Sequence, residues 1–543
     1  MSEKQSEKSR KLAKIAAIPA KTTLEHLCRL DTDHPVEKLV SKTGLICTIG
    51  PASCSVETLT KMIQAGMTIA RLNFSHGSHD YHAQTVANIR KAVDSLAASG
   101  NGKVVSIALD TKGPEIRTGY LAVGSNEEVV VEANSAVRVT VDSGMKFRCT
   151  ESLIYVDYEN MPKVVSKGSK IYIDDGLISL LVNEVSDNHL DCVVEHGGKL
   201  GNCKGVNLPD CEVDLPAVSE KDAQDLQFAV KHQCDMVFAS FVRSAEAVRQ
   251  IRQTLGVEGR GIKIVAKIEN RQGIANVDSI IEEADGVMIA RGDLGIEIPA
   301  EQVFVAQKAI IAKCRLAGKP AICATQMLES MVDKARPTRA EITDVANAVL
   351  DGADCVMLSG ETAKGRHPVQ AVRTMHQICC QAESVFFQKH FFDELQAMLP
   401  RPMNAMDTIA FAVTTAAANC NASAIILLTN TGASAVALSK CRPSSMIISV
   451  VKKEQTARYL RLYSGVLPCV YDSKNSTSSS SPNAVVDWVT SVDQRINYAI
   501  LFGKKERIIH DGDNVIVVNG WREGPGHTNT IRIFAVEPLI PRP

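Results

Sequence analysis

The chain reads as an α/β protein: a (β/α)8 TIM barrel with an inserted all-β lid domain, followed by a C-terminal domain built on an open α/β sheet. Three observations predict this. Between residues 44 and 361, eight short β-branched runs alternate with longer helical patterns. The stretch between the third and fourth runs drops that alternation for Gly-punctuated strand signals. Beyond residue 388 a strand–helix alternation begins again. At 543 residues the chain also exceeds what one hydrophobic core accommodates.

Taken in order, residues 1–42 read as a tail and helical segment, 43–113 as the first part of the barrel and 114–216 as the lid. Residues 217–387 complete the barrel, and 388–543 form the C-terminal α/β domain. The first 21 residues hold six Lys or Arg against two Glu and lack the apolar core of a secretory signal. Residues 11–18 have the pattern of a short amphipathic helix, which leaves a targeting peptide open beside the plainer reading of a solvated tail. The barrel runs are 45–50, 68–75, 104–110, 236–242, 262–269, 286–291, 321–326 and 355–360. In the insert, strand signals fall at 129–131, 136–141, 170–173, 178–182 and 190–194, with turns at Asp174-Asp175-Gly176 and Gly197-Gly198. An insert after the third strand emerges on the face where barrel active sites lie, so it is placed to exclude water as a lid. In the last domain, runs at 424–429 and 446–451 each lead to a helix, and 515–519 leads to a turn and a final strand. Residues 473–481 are a Ser-rich loop.

Composition narrows the function. With 45% hydrophobic residues, 22% charged and a net charge of −1, this is a globular composition without the basic excess of a dedicated nucleic-acid binder. No apolar run approaches the length needed to cross a bilayer. None of the 16 cysteines forms a Cys-x-x-Cys pair, and Cys47, Cys323 and Cys355 lie inside apolar runs. They read as core thiols in a reducing compartment, and the expected location is the cytoplasm.

The residues that carry chemistry collect at the C-terminal ends of the barrel runs. In Lys263-Ile264-Val265-Ala266-Lys267-Ile268-Glu269-Asn270, Lys267 and Glu269 share a face, because strand side chains alternate with a period of two. Run two offers Arg71, Asn73 and Ser75 on one face, run three ends in Asp110, and run four carries Ser240. Runs six to eight bring Arg291 with Asp293, Thr325, and Ser359. Alone, a lysine beside two carboxylates also reads as a structural salt bridge. Scattered surface charge, however, does not stop at the same end of seven runs. Glu269 and Asp293 are hard oxygen ligands suited to magnesium, while Lys267 and Arg71 can neutralise phosphoryl oxygens. Gly292-Asp293-Leu294-Gly295 reads as a tight turn whose bare amides bind a carboxylate, at the start of a short helix. Asn73, Ser75, Asp110 and the Thr111 carbonyl offer softer oxygens for a large monovalent cation. Thr325 either passes a proton or satisfies a nearby backbone group. There is no P-loop and no dinucleotide fingerprint.

Several segments resemble those of the pyruvate kinases. They are Cys47-Thr48-Ile49-Gly50-Pro51-Ala52-Ser53, Ala70-Arg71-Leu72-Asn73-Phe74-Ser75-His76-Gly77 and Leu109-Asp110-Thr111-Lys112-Gly113-Pro114-Glu115-Ile116-Arg117-Thr118-Gly119, with Lys204-Gly205-Val206-Asn207-Leu208-Pro209, Ala266-Lys267-Ile268-Glu269-Asn270, Gly292-Asp293-Leu294-Gly295, Ala324-Thr325-Gln326-Met327-Leu328 and Met357-Leu358-Ser359-Gly360-Glu361-Thr362-Ala363. The likeness spans residues 43 to 543. It implies phosphoryl transfer from phosphoenolpyruvate to ADP, giving pyruvate and ATP at the end of glycolysis, with magnesium and potassium as cofactors. By that resemblance Lys267 stabilises the phosphoryl in flight, Arg71 and Arg117 contact phosphate, and Gly292, Asp293 and Thr325 complete the substrate site. Asn73, His76, Arg117 and Lys204 serve the nucleotide. Glu269 and Asp293 hold magnesium, and Asn73, Ser75, Asp110 and Thr111 hold potassium. Thr325, through water and Ser359, supports protonation of the enolate. Glu115 resembles the potassium-dependent members, in which a carboxylate stands where others have a lysine.

The resemblance also implies a homotetramer and, in the last domain, a grip on fructose-1,6-bisphosphate. Its candidates are Thr429, Thr431, Ser434, Trp488 and Arg495, with the loop Gly520-Trp521-Arg522-Glu523-Gly524-Pro525-Gly526. Asn430 and Ala433 depart from the activated pattern, which often has a longer polar or basic residue and an arginine there. Losing one arginine–phosphate contact costs about 1.5–3 kcal/mol, which weakens such a site without abolishing it. Two other readings stay open on sequence. One is a metal-dependent carbon–carbon lyase acting on pyruvate or oxaloacetate, which needs neither the lid nor Lys204. The other is a catalytically silent metabolite sensor on the same scaffold.

Overall fold

The computed structural model describes residues 20–32, 40–122, 127–471, 488–522, 524 and 526–538, with the backbone alone at 488 and 489. The 11–18 stretch and the Ser-rich 473–481 loop lie outside these residues. Eight parallel strands close a barrel: Gly44–Ile49, Ile69–Asn73, Ser106–Asp110, Met236–Ala239, Lys263–Ile268, Gly286–Ala290, Ala321–Ala324 and Cys355–Leu358. Each pairs with its neighbour in chain order, and the last closes on the first with Cys355 opposite Gly44. The third and fourth strands pair directly, Met236 opposite Ala108, although the whole insert intervenes in sequence.

Alternation along these strands builds two layers of core. Ile46, Ile69, Phe238, Val265, Met288 and Ile322 pack inside the barrel. Leu45, Leu72, Leu109, Ile264 and Ile289 face outward against the helices. Both faces are therefore buried, which is why the runs are apolar almost without break. Leu462, from the C-terminal segment, joins the interior cluster.

The insert forms a seven-stranded sheet in the order Ile116–Arg117, Gly205–Asn207, Lys170–Ile173, Ile178–Val185, His189–His196, Ala136–Thr140, Leu153–Tyr155, and a separate pair of Gly198–Leu200 with Val129–Val131. One four-residue helix, Met161–Val164, and a 3-10 turn, Ser143–Met145, are its only helical pieces among the described residues. The turn Asp174-Asp175-Gly176 takes positive φ at all three residues, which explains why it is built from Asp, Asp and Gly. The chain returns to the barrel through the helix Glu220–Lys231, whose start is fixed by a capping box between Ser219 and Asp222.

The C-terminal sheet has the order Val466–Val470, Met446–Val451, Ala424–Leu428, Asn514–Gly520, Thr528–Ala535, with only the last strand antiparallel. The sequence reading does not include Val466–Val470, a strand that contains Pro468. That strand lies at the sheet edge, where a missing N–H is tolerated. Among the described residues, no helix is long and apolar enough to cross a membrane.

An ion pair between a partly exposed arginine and a buried aspartate ties this last unit to the barrel. Arg458 Nε lies 2.7 Å from Asp235 Oδ1, and Asp235 Oδ2 accepts the Ile107 amide at 2.8 Å. Burial pushes the Asp235 carboxyl up, and Arg458 opposes that shift. Arg458→Met leaves Asp235 without its cation and is expected to cost about 3 kcal/mol of stability. The check is a lowered thermal midpoint relative to both wild type and Arg458→Lys.

Candidate active site

Lys267 sits at the C-terminal end of the fifth barrel strand and is 7% exposed. Its Nζ is 2.9 Å from Glu269 Oε1 and 3.2 Å from Asp110 Oδ1, and it donates to Ser240 Oγ at 2.7 Å. Burial alone disfavours the ammonium, but Asp110 and Glu269 outweigh it and hold Lys267 above its ordinary range. Asp110 Oδ2 in turn accepts Arg71 Nε at 2.6 Å, and Arg71 Nη1 donates to Thr48 Oγ1 at 2.9 Å. Burial acts to raise Asp110, yet Arg71 and Lys267 together leave it below the usual carboxylate range. Ser240 Oγ donates to the Thr111 carbonyl at 2.7 Å. Asn73 lies opposite Asp110 in the register of strands two and three, and its Oδ1 accepts the Ser75 amide at 3.1 Å.

The strand-end alternation stops at the sixth and seventh strands, and here the structure corrects the sequence reading. Strand six ends at Ala290, and Arg291–Glu297 is a helix. Residues 292–295 are therefore helical rather than a tight turn. The Gly292 amide is not bare, since it donates to Thr325 Oγ1 at 2.7 Å. Thr325 follows the end of strand seven with φ +69°, and Gln326 has φ +54°. A β-branched residue in this region costs on the order of 1–3 kcal/mol and persists only when its surroundings over-determine it. Thr325 Oγ1 also donates to the Ala324 carbonyl at 2.6 Å, and Arg291 Nη2 donates to the Thr325 carbonyl at 2.9 Å. Arg291 itself is held by both oxygens of Asp344 at 2.8 and 2.7 Å. The Ser359 amide donates to Glu361 at 2.7 Å, while the Ser359 Oγ is buried with no hydrogen-bond partner among the described residues.

Asp293 sits in the first turn of the Arg291–Glu297 helix. Burial and the neighbouring Glu269 carboxylate push Asp293 up to about 8, and Lys267 only partly opposes them. Asp293, Gly292, Thr325 and Ser359 line one cavity of about 1050 Å³ together with Asp175, which belongs to the insert. The sequence reading took Asp174-Asp175-Gly176 only as a turn. The one signal available was the pair of acids at its tip. Asp344 left no signal, because it acts through Arg291 from within the helix Arg339–Leu350.

A family model described as the barrel domain of pyruvate kinase matches residues 40–372, and one described as its alpha/beta domain matches residues 407–534. The chain belongs to the pyruvate kinase family. It is 52% identical over 524 residues to the human protein named pyruvate kinase PKLR, covering 96% of this chain and 89% of the human one. It is 45% identical over 537 residues to the pyruvate kinase of Hypocrea jecorina, covering 97% and 98% of the two chains. With that of Leishmania mexicana it shares 46% over 494 residues, 91% and 95% of the two chains. It is a phosphotransferase that moves the phosphoryl group of phosphoenolpyruvate to ADP, yielding pyruvate and ATP.

Not every residue expected for a pyruvate kinase site joins the Lys267 cluster. Arg117 is paired with Glu115 through Nε at 2.9 Å and Nη2 at 2.6 Å, and its Nη1 donates to the Cys203 carbonyl at 2.6 Å. Burial raises Glu115, and Arg117 only partly offsets that. Lys204 Nζ pairs with Asp174 Oδ2 at 2.8 Å. His76 is exposed, and its carbonyl accepts His82 Nε2 at 2.8 Å. In the C-terminal domain Thr429, Asn430, Thr431, Ser434, Arg495 and Arg522 line a cavity of about 140 Å³. The Trp488 side chain, Glu523 and Pro525 lie outside the described residues.

The Glu269–Asp293 pair has a consequence for pH. Folded, Asp293 keeps its proton up to about pH 8, whereas an unfolded aspartate releases it near pH 4. The folded chain thus binds more protons across that window, and its stability falls as pH rises through it. In buffer free of divalent cations, the thermal midpoint of the wild type is expected to fall more steeply than that of Asp293→Asn between about pH 5 and about pH 8. Parallel slopes for the two proteins contradict the raised carboxyl.

Proposed function

We propose that the phosphoryl group changes hands over Lys267. The observation that carries this reading is one buried ammonium gripped by Asp110 and Glu269, with Asp293 beside them. Lys267 stays charged at neutral pH and is fixed in place, so it offers the migrating PO₃ a preorganised positive centre. Arg71, tethered by Asp110 and Thr48, binds the substrate phosphate. Arg117 contributes to the phosphate from the insert, and Asn73, His76, Arg117 and Lys204 serve the nucleotide, a reading supported by their motifs. The substrate carboxylate falls to the start of the Arg291–Glu297 helix. With the Gly292 amide donated to Thr325, we assign the carboxylate to the Asp293 amide of the same first turn. Thr325 and Ser359 share that cavity, and we assign them to the water that protonates the enolate.

Glu269 and Asp293 would hold magnesium, since Glu269 helps push the Asp293 carboxyl up, the mark of two neighbouring hard carboxylate ligands suited to a small divalent cation. Bound there, magnesium supplies Lewis acidity and neutralises charge on the phosphoryl oxygens. Asn73, Ser75, Asp110 and the Thr111 carbonyl would hold potassium, being one carboxylate among neutral oxygens. We read residues 43–113 and 217–387 as the catalytic unit, 114–216 as its lid and 388–543 as a regulatory unit, in a cytoplasmic homotetramer. Lys267→Met is expected to lower kcat about 100- to 1,000-fold, with KM for phosphoenolpyruvate changed far less. A variant that keeps its kcat refutes the assignment.

The C-terminal cavity, with two arginines and four hydroxyl-bearing residues, suits a sugar bisphosphate, and we assign fructose-1,6-bisphosphate to it despite Asn430 and Ala433. Titrating phosphoenolpyruvate is expected to give a lower half-saturation when the bisphosphate is present. Arg495→Met abolishes that shift without changing the unactivated curve. An identical curve with and without the bisphosphate removes the effector from the assignment.

A further inference from the structure

In the helix Glu220–Lys231, Lys221, Asp225 and Phe228 recur at i, i+4 and i+7, which puts them on one face. That face meets the segment following the second barrel strand. Lys221 Nζ donates to the Phe74 carbonyl at 2.7 Å and to Asp225 Oδ2 at 2.8 Å. Asp225 is fully buried, and its Oδ1 also bonds His79 Nε2 at 2.7 Å. Phe228 packs edge-on against the Phe74 ring, centroids 5.1 Å apart. Close by, Asp222 Oδ1 accepts the Gly113 amide at 3.0 Å. Phe74 and Gly113 belong to the two segments that carry Asn73, Ser75, Asp110 and Thr111. One turn of helix therefore braces both halves of the monovalent-cation site and supplies none of its ligands.

We propose that Lys221, backed by Asp225, is a positioning residue for that site: it holds the Phe74 carbonyl so that the oxygens of Asn73 and Ser75 keep a cation-binding arrangement. The inference rests on the potassium reading given above. The Lys221 side chain is 48% exposed and its charge is balanced by Asp225, so the pair acts through geometry more than through its field. The Phe74 ring is also stacked on His82, centroids 4.1 Å apart, and its amide donates to the Asp110 carbonyl at 2.9 Å. Without Lys221 the segment stays attached but loses the bond that orients its peptide.

A staple that merely joined the helix to the barrel would cost stability equally in every salt. The test is therefore thermal unfolding of the full chain in potassium chloride against tetramethylammonium chloride at matched ionic strength. The wild type is expected to gain stability from potassium beyond the tetramethylammonium control. The Lys221→Met/Asp225→Asn double variant removes one charge of each sign and is expected to need about tenfold more potassium for half of that gain, the loss typical of one charge-assisted hydrogen bond. The potassium half-saturation of activity rises in step, with kcat at saturating potassium within about twofold of wild type. Lys221→Arg, which keeps the donor, restores the wild-type midpoint. A double variant with the wild-type potassium midpoint overturns the proposal. Should that variant not fold, Lys221→Gln carries the same comparison, a raised midpoint supporting the proposal and an unchanged one overturning it. A wild type that gains no more from potassium than from tetramethylammonium sinks the potassium reading, and the positioning role falls with it.

Discussion

An ammonium 7% exposed at the mouth of a barrel, like that of Lys267, keeps its proton only if the protein surrounds it with opposite charge. Asp110 and Glu269 meet that demand, and each is then constrained by it. Asp110 must satisfy its other oxygen, which it does with the Arg71 guanidinium, and Arg71 is steadied by Thr48 on the first strand. Glu269 accepts the Phe241 amide at 2.5 Å, and Phe241 sits at φ +54°. One buried charge thus fixes groups on five of the eight strand ends. The barrel makes this affordable to the fold, because its closed sheet leaves no strand free to slide.

The opposite side of the site is organised by strain instead. Thr325 takes a conformation that a β-branched residue avoids, and its hydroxyl and carbonyl are both held from the Arg291–Glu297 helix. Asp344 holds Arg291 with both oxygens. Release of that clasp would let Thr325 relax out of the cavity it shares with Asp293. The two sides meet at Asp293, whose carboxyl is pushed up by burial and by the neighbouring Glu269 carboxylate.

Legibility from sequence followed the same division. Where a group lies on a regular strand, the period of two was enough, and Arg71 with Asn73, and Lys267 with Glu269, fall on the inner face as their spacing requires. Where the strand has ended, the period carries no information. Asp293 lies in a helix and Thr325 at positive φ, so their convergence is a property of the folded chain. The edge strand Val466–Val470 also went unread, since a sequence does not announce which strand has a spare edge that tolerates a proline. Lys221, Asp225 and Phe228 form a stripe that any amphipathic helix might bear, and only the packing against Phe74 distinguishes it.

The charges of the site fall into two classes, and the division answers a problem of the reaction. Lys267 and Arg71 are buried in pairs that cannot open without stranding a charge, so they are rigid, as transition-state stabilisation requires. Arg117 and Lys204 are partly exposed and paired with the insert's own Glu115 and Asp174. Pairs of that kind are worth only about 0–1 kcal/mol, so a polyanionic ligand can exchange them at little cost. In the proposed assignment a phosphate, which brings more charge than a single carboxylate, displaces these partners. Were Arg117 and Lys204 buried like Lys267, exchanging their partners for the nucleotide that the proposed function assigns to them would cost far more. Had Lys267 been exposed like Lys204, the phosphoryl group would meet a mobile, screened charge.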